Sequence, residues 1–448
     1  MSGDGPSVVR LSRAPSRWVR ALERPSSAFA TVAVVVVGWL LFLSLDWWTG
    51  GPTVRDDHVT LYSAWMLAHG SFGCAYQVPR PSIDYPLTAP LFTVLDALLQ
   101  VLTRVGVSHP FPYRAIALAG CRHDYGALNG WLRGTPIAHQ SLWLGFVVWP
   151  VLVLGALSVV RTARKGPTRL EWWLIAVMSV LPVYQLPFQE YYHPEDVLAL
   201  AALLGSLSGV VRGRYRWAGA LAVVSMLSQQ NALLALLVVL IMIPDWRALR
   251  EFAVSGTVTF LCLVTPLTWL SGWTVLRVSL FGTGLNDNPV YSTWMGELGI
   301  YGTHALVISR GGPVLLSVLG ALWWFQRRGR PSLDHALSLM ALAFAIRLGL
   351  EENLWSYYSI GLVTCWLVGD LLTGRVRLGP WVWSFAVSYL AWEYYPGGPG
   401  WSALTTLPLW VWQLVLLPSA VWLSVRPLLQ RPESTLRTRP LVDHGAAP

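Results

Sequence analysis

Apolar runs recur along the chain from residue 27 to residue 425, separated by short polar stretches. A helix of roughly twenty apolar residues crosses the hydrocarbon core of a bilayer. The runs predict helices at about 27–48, 86–105, 139–160, 170–188, 195–211, 252–270, 305–325, 333–350, 357–372, 380–394 and 402–425. Basic residues cluster between them, at 10–24, 161–169, 212–216, 247–250, 327–330, 375–377 and 426–439. Short Arg-rich loops resist translocation, so all seven clusters are placed on the cytoplasmic face. The helices then alternate in direction, with two regions that resist. The run 217–243 is flanked by basic clusters and must cross twice, yet it is short for two spans. Its polar centre, Ser228-Gln229-Gln230-Asn231, becomes the tip of two short, re-entrant helices. The stretch 106–138 must return the chain outward by a route the pattern does not define.

The expected fold is therefore an all-α polytopic membrane protein with 12–14 spans and both termini cytoplasmic. A basic tail covers 1–26, a single membrane domain 27–425, and a Pro/Arg-rich disordered tail 426–448. Composition agrees. Of 448 residues 54% are hydrophobic and only 12% charged, about half the charge of a soluble domain. That excludes a disordered chain and argues against a soluble enzyme. The 26 Trp and 16 Tyr suit membrane interfaces. A net charge of +9 raises a nucleic-acid partner, but the basic residues sit in loops between apolar runs, so none is expected. The first run follows Arg10, Arg13, Arg17, Arg20 and Arg24, as in a secretion signal. It is too long for a signal core and lacks a small-residue cleavage site, so it reads as an uncleaved membrane helix. Cys262 and Cys365 lie in apolar runs and read as core packing, whereas Cys74 and Cys121 sit near polar loops where a bridge is possible in an oxidising compartment.

Acidic residues concentrate on the face opposite the basic clusters. Ionisable groups at membrane depth are costly and default to functional candidates. The first candidate is the loop Val54-Arg55-Asp56-Asp57-His58-Val59-Thr60-Leu61-Tyr62. Adjacent carboxylates beside His58 can hold one acid at a raised pKa, as a general base for a hydroxyl requires. A solvated turn is the competing reading. A short amphipathic helix with Tyr62, Ala64 and Gly70 follows, then Tyr76, Arg80 and Asp84-Tyr85-Pro86.

The second candidate is Gln189-Glu190-Tyr191-Tyr192-His193-Pro194-Glu195-Asp196. Pro194 at the first helical position with acids behind it also makes an ordinary helix start. That reading leaves Glu190 and the tyrosines unexplained. Third comes Glu351-Glu352-Asn353 with Tyr357-Tyr358, preceded by Arg347, which suits an anionic head group. Its competing reading is an internal Arg347–Glu351 pair at helical i,i+4 spacing. Gln230 in the broken run and His304 near the long 271–304 loop complete the candidate binding residues.

The stretch from Asp57 through Tyr62, Ala64, Gly70 and Tyr76 to Tyr85-Pro86 resembles the GT-C membrane glycosyltransferases, especially the polyprenyl-phosphate-mannose-dependent mannosyltransferases of actinobacteria. These carry a first-loop Asp, a short helix ending in Gly and Tyr, then Tyr-Pro-Pro leading into the second helix. Here Leu87 replaces the second Pro, and Asp56 competes with Asp57. The resemblance implies a polyprenyl-phosphate sugar donor and a lipid or envelope-glycan acceptor on the extracytoplasmic face. Asp57 (or Asp56) acts as general base, and transfer inverts the sugar. Arg80, Arg347, His193 or His304 steadies the departing phosphate. It requires no cofactor, and a divalent cation is neither demanded nor excluded. A transporter is the rival class, favoured by the break at 229–231 but lacking a matching break in another half. A non-catalytic membrane scaffold is a third.

Overall fold

The computed structural model describes residues 24–48, 87, 90, 146–163, 167–189, 193–273, 275–276, 294–300, 302–351, 356–373, 377–394 and 411–429. Twelve main helices run through them: α1 (Ala28–Trp48), α2 (Val148–Val160), α3 (Arg169–Val180), α4 (Pro194–Val211), α5 (Tyr215–Ser228), α6 (Ala232–Ile241), α7 (Trp246–Ser271), α8 (Gly312–Arg328), α9 (Leu333–Leu350), α10 (Ser359–Thr373), α11 (Leu378–Tyr394) and α12 (Leu417–Leu429). The described residues hold no β-strand beyond the isolated bridge Pro25–Thr168. The chain is an all-α polytopic membrane protein.

Local chemistry starts and stops these helices. Asp245 caps α7, its carboxylate accepting from the Ala248 N–H at 2.8 Å. Pro194 opens α4, where its missing N–H costs nothing. Gly272 ends α7 with φ 80°, a conformation glycine adopts without a Cβ clash.

Contacts at the helix ends sort the bundle into two faces. Arg24 and Arg169 meet where α1 and α3 begin, side by side. Arg161, just past α2, is bidentate to Glu171 at 2.9 and 2.7 Å. That hydrogen bond, against some burial, raises the guanidinium pKa above its ordinary value. Arg212, after α4, donates to the Ser158 carbonyl at 2.9 Å. Arg330 donates to the Pro244 carbonyl, Arg328 to that of Leu428 and Arg377 to that of Leu423. The Arg-rich connections therefore share one face, here the basic end, as the alternating pattern predicts.

The same contacts settle the path of 215–243. The basic end of α5 lies against the start of α7, Ser255 donating to the Arg216 carbonyl at 2.7 Å. Chain leaving α6 meets Arg330 at Pro244. So α5 rises, breaks at 229–231 and α6 returns. They are about 21 Å and 15 Å long, short of the roughly 30 Å hydrocarbon core. Backbone that stops inside a membrane is tolerated where it faces protein; here α6 packs on α8 and α9.

Among the described residues five helices are long and apolar enough to cross a membrane: Ala28–Leu45, Pro194–Val211, Trp246–Leu270, Gly302–Arg328 and Leu333–Leu350. Counting Arg169–Val180 with Pro182–Phe188, bent by 70°, makes six. The expected 12–14 spans are not reached on this measure, because several helices are too short to span alone. Residues 91–145 and 395–410 fall outside the described set. The helix expected at 170–188 splits at Leu181-Pro182, where proline removes a ladder donor. The last helix runs to Leu429, past the expected boundary at 425, its free Leu428 carbonyl accepting from Arg328 at 2.9 Å. Cys262 is exposed rather than packed in the core, and Cys365 is buried. The reason is that α7 turns most of its surface outward. Cys74 and Cys121 lie outside the described residues.

The outward face of α7 bears the marks of lipid contact. Only 11% of its spanning window is buried, and Trp246 and Trp269 near its two ends are 76% and 88% exposed. These indoles stand about 35 Å apart along the axis, close to the separation of the two interfaces of a bilayer. Inside the bundle, helices meet through glycine. A Cβ on Gly155 of α2 would lie 2.7 Å from the Ala201 carbonyl oxygen of α4. Gly155→Ala is expected to destabilise the protein by about 1–3 kcal/mol, read as an earlier unfolding midpoint in mixed micelles. An unchanged midpoint would mean the two helices separate freely.

Candidate functional site

Away from the basic end, four pieces of chain converge: the start of α4, the tip between α5 and α6, the last turn of α9 and the segment leading into α10. Charged residues fall there for local reasons. Glu195 and Asp196 occupy the first turn of α4, where the helix dipole favours carboxylates. Arg347 and Glu351 stand one turn apart at the end of α9.

Their side chains form one buried network. Glu195, Asp196, Gln229, Arg347 and Glu351 are each 7% exposed or less. His193 Nδ1 lies 2.6 Å from Glu195 Oε1, and its ring stacks on Tyr357 with centroids 4.8 Å apart. Tyr357 packs edge-on against Tyr358 at 4.6 Å. The Arg347 guanidinium sits over Tyr358 at 3.7 Å and donates through Nε to Glu351 Oε2 at 3.0 Å. The Gln229 amide donates to Asp196 Oδ1. Three buried carboxylates thus gather around one buried arginine, one half-buried imidazole and two phenol rings.

A cavity of about 30 Å³ opens within the network, lined by Asp196, Gln229, Asn231, Arg347 and Tyr358 with apolar neighbours including Leu203 and Phe344. It holds about two water molecules; a sugar ring does not fit inside it. Asp196 Oδ2, Gln229 Oε1 and Arg347 Nη2 are buried with no hydrogen-bond partner among the described residues, as is Glu195 Oε2 nearby. Buried polar atoms are normally paired, and each unpaired one costs roughly 1–3 kcal/mol. The site is thus furnished with two acceptors and a guanidinium donor for a polar guest. Arg347 offers an N–H to an anion, and the carboxylates offer oxygens to hydroxyls.

Of the candidate residues, the structure brings His193, Glu195, Arg347 and Glu351 together. The internal Arg347–Glu351 pair that the spacing predicts does form, in a buried setting. Gln230 is half-buried at the tip, but the amide engaged in the network is that of its neighbour Gln229. His304 is exposed on the short helix Gly302–Leu306 and makes none of these contacts. Asp56, Asp57, His58, Tyr62, Arg80, Asp84, Tyr85 and Glu190 lie outside the described residues. Sequence reasoning missed Asp196 and Gln229 as site residues. The signal was present in both cases, an acid in the 189–196 segment and an amide in the polar break. Among the described residues no group of three or more His, Cys, Asp or Glu side chains is placed to hold a metal ion. Comparison of the chain with protein-family models, curated proteins and solved structures found no match.

Proposed function

We propose that this chain is a membrane glycosyltransferase that moves a sugar, mannose in the first instance, from a polyprenyl-phosphate donor to a lipid or cell-envelope glycan acceptor. Transfer takes place at the end of the bundle away from the Arg-rich connections. The observation that supports this reading best is the buried network there, in which Arg347 and Asp196 line one cavity and each keeps a buried polar atom, Nη2 and Oδ2, without a hydrogen-bond partner among the described residues.

In this reaction Asp57 (or Asp56) takes the proton of the acceptor hydroxyl as its oxygen attacks the anomeric carbon. The bond from that carbon to the phosphate oxygen breaks, and polyprenyl phosphate departs with the electron pair. Charge grows on the phosphate, so a donor already fixed in place stabilises the transition state. Arg347 has that character. Glu351 holds one edge of its guanidinium and Tyr358 one face, while Nη2, without a hydrogen-bond partner among the described residues, serves the phosphate. The sugar sits outside the small cavity, over the network. Asp196 and Glu195 then accept hydrogen bonds from sugar hydroxyls or from the waters that bridge to them.

A second reading, a transporter of a lipid-linked or small polar substrate, is favoured by the α5–α6 break reaching this same network, since interrupted helices often build transport sites. One experiment separates the two. The purified chain is reconstituted in phosphatidylcholine vesicles with radiolabelled polyprenyl-phosphate mannose and total membrane-lipid acceptors. Donor-dependent labelled glycolipid is the expected product. Movement of intact donor across the bilayer without any product would replace the transferase by the transporter.

A further inference from the structure

The basic end carries a feature the transfer reaction does not use. Where α5 and α7 begin they are pressed together: a Cβ on Gly219 would collide with the Phe252 carbonyl oxygen. This brings Arg216 of α5 beside Arg247 of α7, with Arg214 and Trp217 flanking the one in sequence and Trp246 and Arg250 the other, all exposed. The Arg216 and Arg247 side chains are 80% and 90% exposed and share a single carboxylate, Glu251. Both approaches are 3.7 Å, longer than a hydrogen bond. The two guanidinia are therefore drawn to one place with their N–H donors still open to a stronger acceptor. The other nearby acid, Asp245, is occupied as the cap of α7.

What lies beyond the arginines identifies the guest. Arg247, Arg250, Val254, Val258 and Leu261 succeed one another at spacings of three and four, a single stripe along α7. The three apolar members are 53–56% exposed. A charged head at the basic end thus continues into an apolar track that faces the membrane. Trp217 and Trp246, 70% and 76% exposed, stand at the level of the arginines, where indoles sit among lipid headgroups. A free phosphate would use the arginines alone; a phospholipid uses the arginines, the indoles and the track.

We propose that this corner is a binding site for an anionic phospholipid of the leaflet on the basic side, its phosphate bridging Arg216 and Arg247 and an acyl chain lying along Val254 and Val258. The site is separate from the transfer network and stands whether or not the chain proves to be a transferase.

The test counts lipids retained on the full-length protein by native mass spectrometry, after solubilisation with phosphatidylcholine and phosphatidylglycerol in equal amounts. Wild type is expected to retain phosphatidylglycerol preferentially. Arg216→Gln with Arg247→Gln should reduce that preference about thirtyfold, each arginine near the surface contributing roughly fivefold. Arg169→Gln with Arg327→Gln removes equal charge from exposed positions at the same end and should leave the preference nearly intact. An unchanged melting temperature in phosphatidylcholine alone shows that the variant is folded; if it is not, Arg247→Gln by itself carries the test with a fivefold loss. Equal loss in the control pair, no preference in wild type, or displacement of the lipid by glycerol phosphate at matched concentration would each overturn the proposal.

Discussion

Transfer is expected to fall by about 10²–10⁴-fold in one of the two single variants Asp56→Asn and Asp57→Asn, and to stay within severalfold of wild type in the other. Asparagine keeps the shape of the side chain and removes its ability to accept a proton, so the loss reports base catalysis rather than packing. Consecutive residues point in different directions from the backbone, so only one of the two carboxylates can lie against the acceptor hydroxyl. The other supplies negative charge beside it, which keeps a proton-accepting oxygen basic. The loss should appear in kcat with KM for the donor little changed, because the base acts on the acceptor proton in the transition state. Rates are measured at saturating acceptor with vesicle-embedded protein and a range of donor concentrations. If both variants retain full rates, the first loop is not the catalytic centre. The carboxylates of the buried network, Glu195 and Asp196, then become the bases to test.

The all-α character and most of the described helices were readable in the chain because each rests on a property of a single segment. An apolar run needs no partner to declare itself, and the Arg-rich connections gather at one end of the bundle as their spacing predicts. The break at 228–231 was equally visible, since four polar residues interrupt an apolar run too short for two spans. What could not be read is which side chain a broken end presents. Gln229 takes an extended backbone, φ −155° and ψ 120°, immediately after α5, and this swings its amide to Asp196. Its neighbour Gln230, of identical chemistry, is left outside the bond. Residue type alone ranks the two equally. The network itself joins α4, α5 and α9, and such meetings depend on helix rotation and tilt that no local pattern encodes. His304 shows a different limit: its residue type and its place near a long polar loop do not tell that its helical turn faces outward, away from this network. Cys262 repeats the lesson, since an apolar run in a membrane chain belongs as often to the lipid-facing surface as to the core.

Arg347→Ala is expected to destabilise the protein by about 3–5 kcal/mol and to abolish detectable transfer. The stability loss follows from what remains. Glu351 is 3% exposed, and its one described cationic partner within ion-pair distance is Arg347. Deleting the arginine strands a buried charge and also strips the cation from the face of Tyr358. A loss of both stability and activity does not by itself say that Arg347 touches the substrate. A paired replacement separates the two roles. Arg347→Met with Glu351→Leu fills the same space with apolar groups, and such swaps of a buried ion pair commonly restore stability. The double variant should therefore unfold near the wild-type midpoint in mixed micelles while transferring no sugar, because no N–H remains for the departing phosphate. Arg347→Lys offers a finer reading. It keeps the charge but loses the planar fork that serves Glu351 and a second acceptor at once, so it should fold and transfer slowly. If the stable double variant transfers at the wild-type rate, Arg347 is a purely structural partner of Glu351. The phosphate must then be met elsewhere, and Arg80 is the residue to test next.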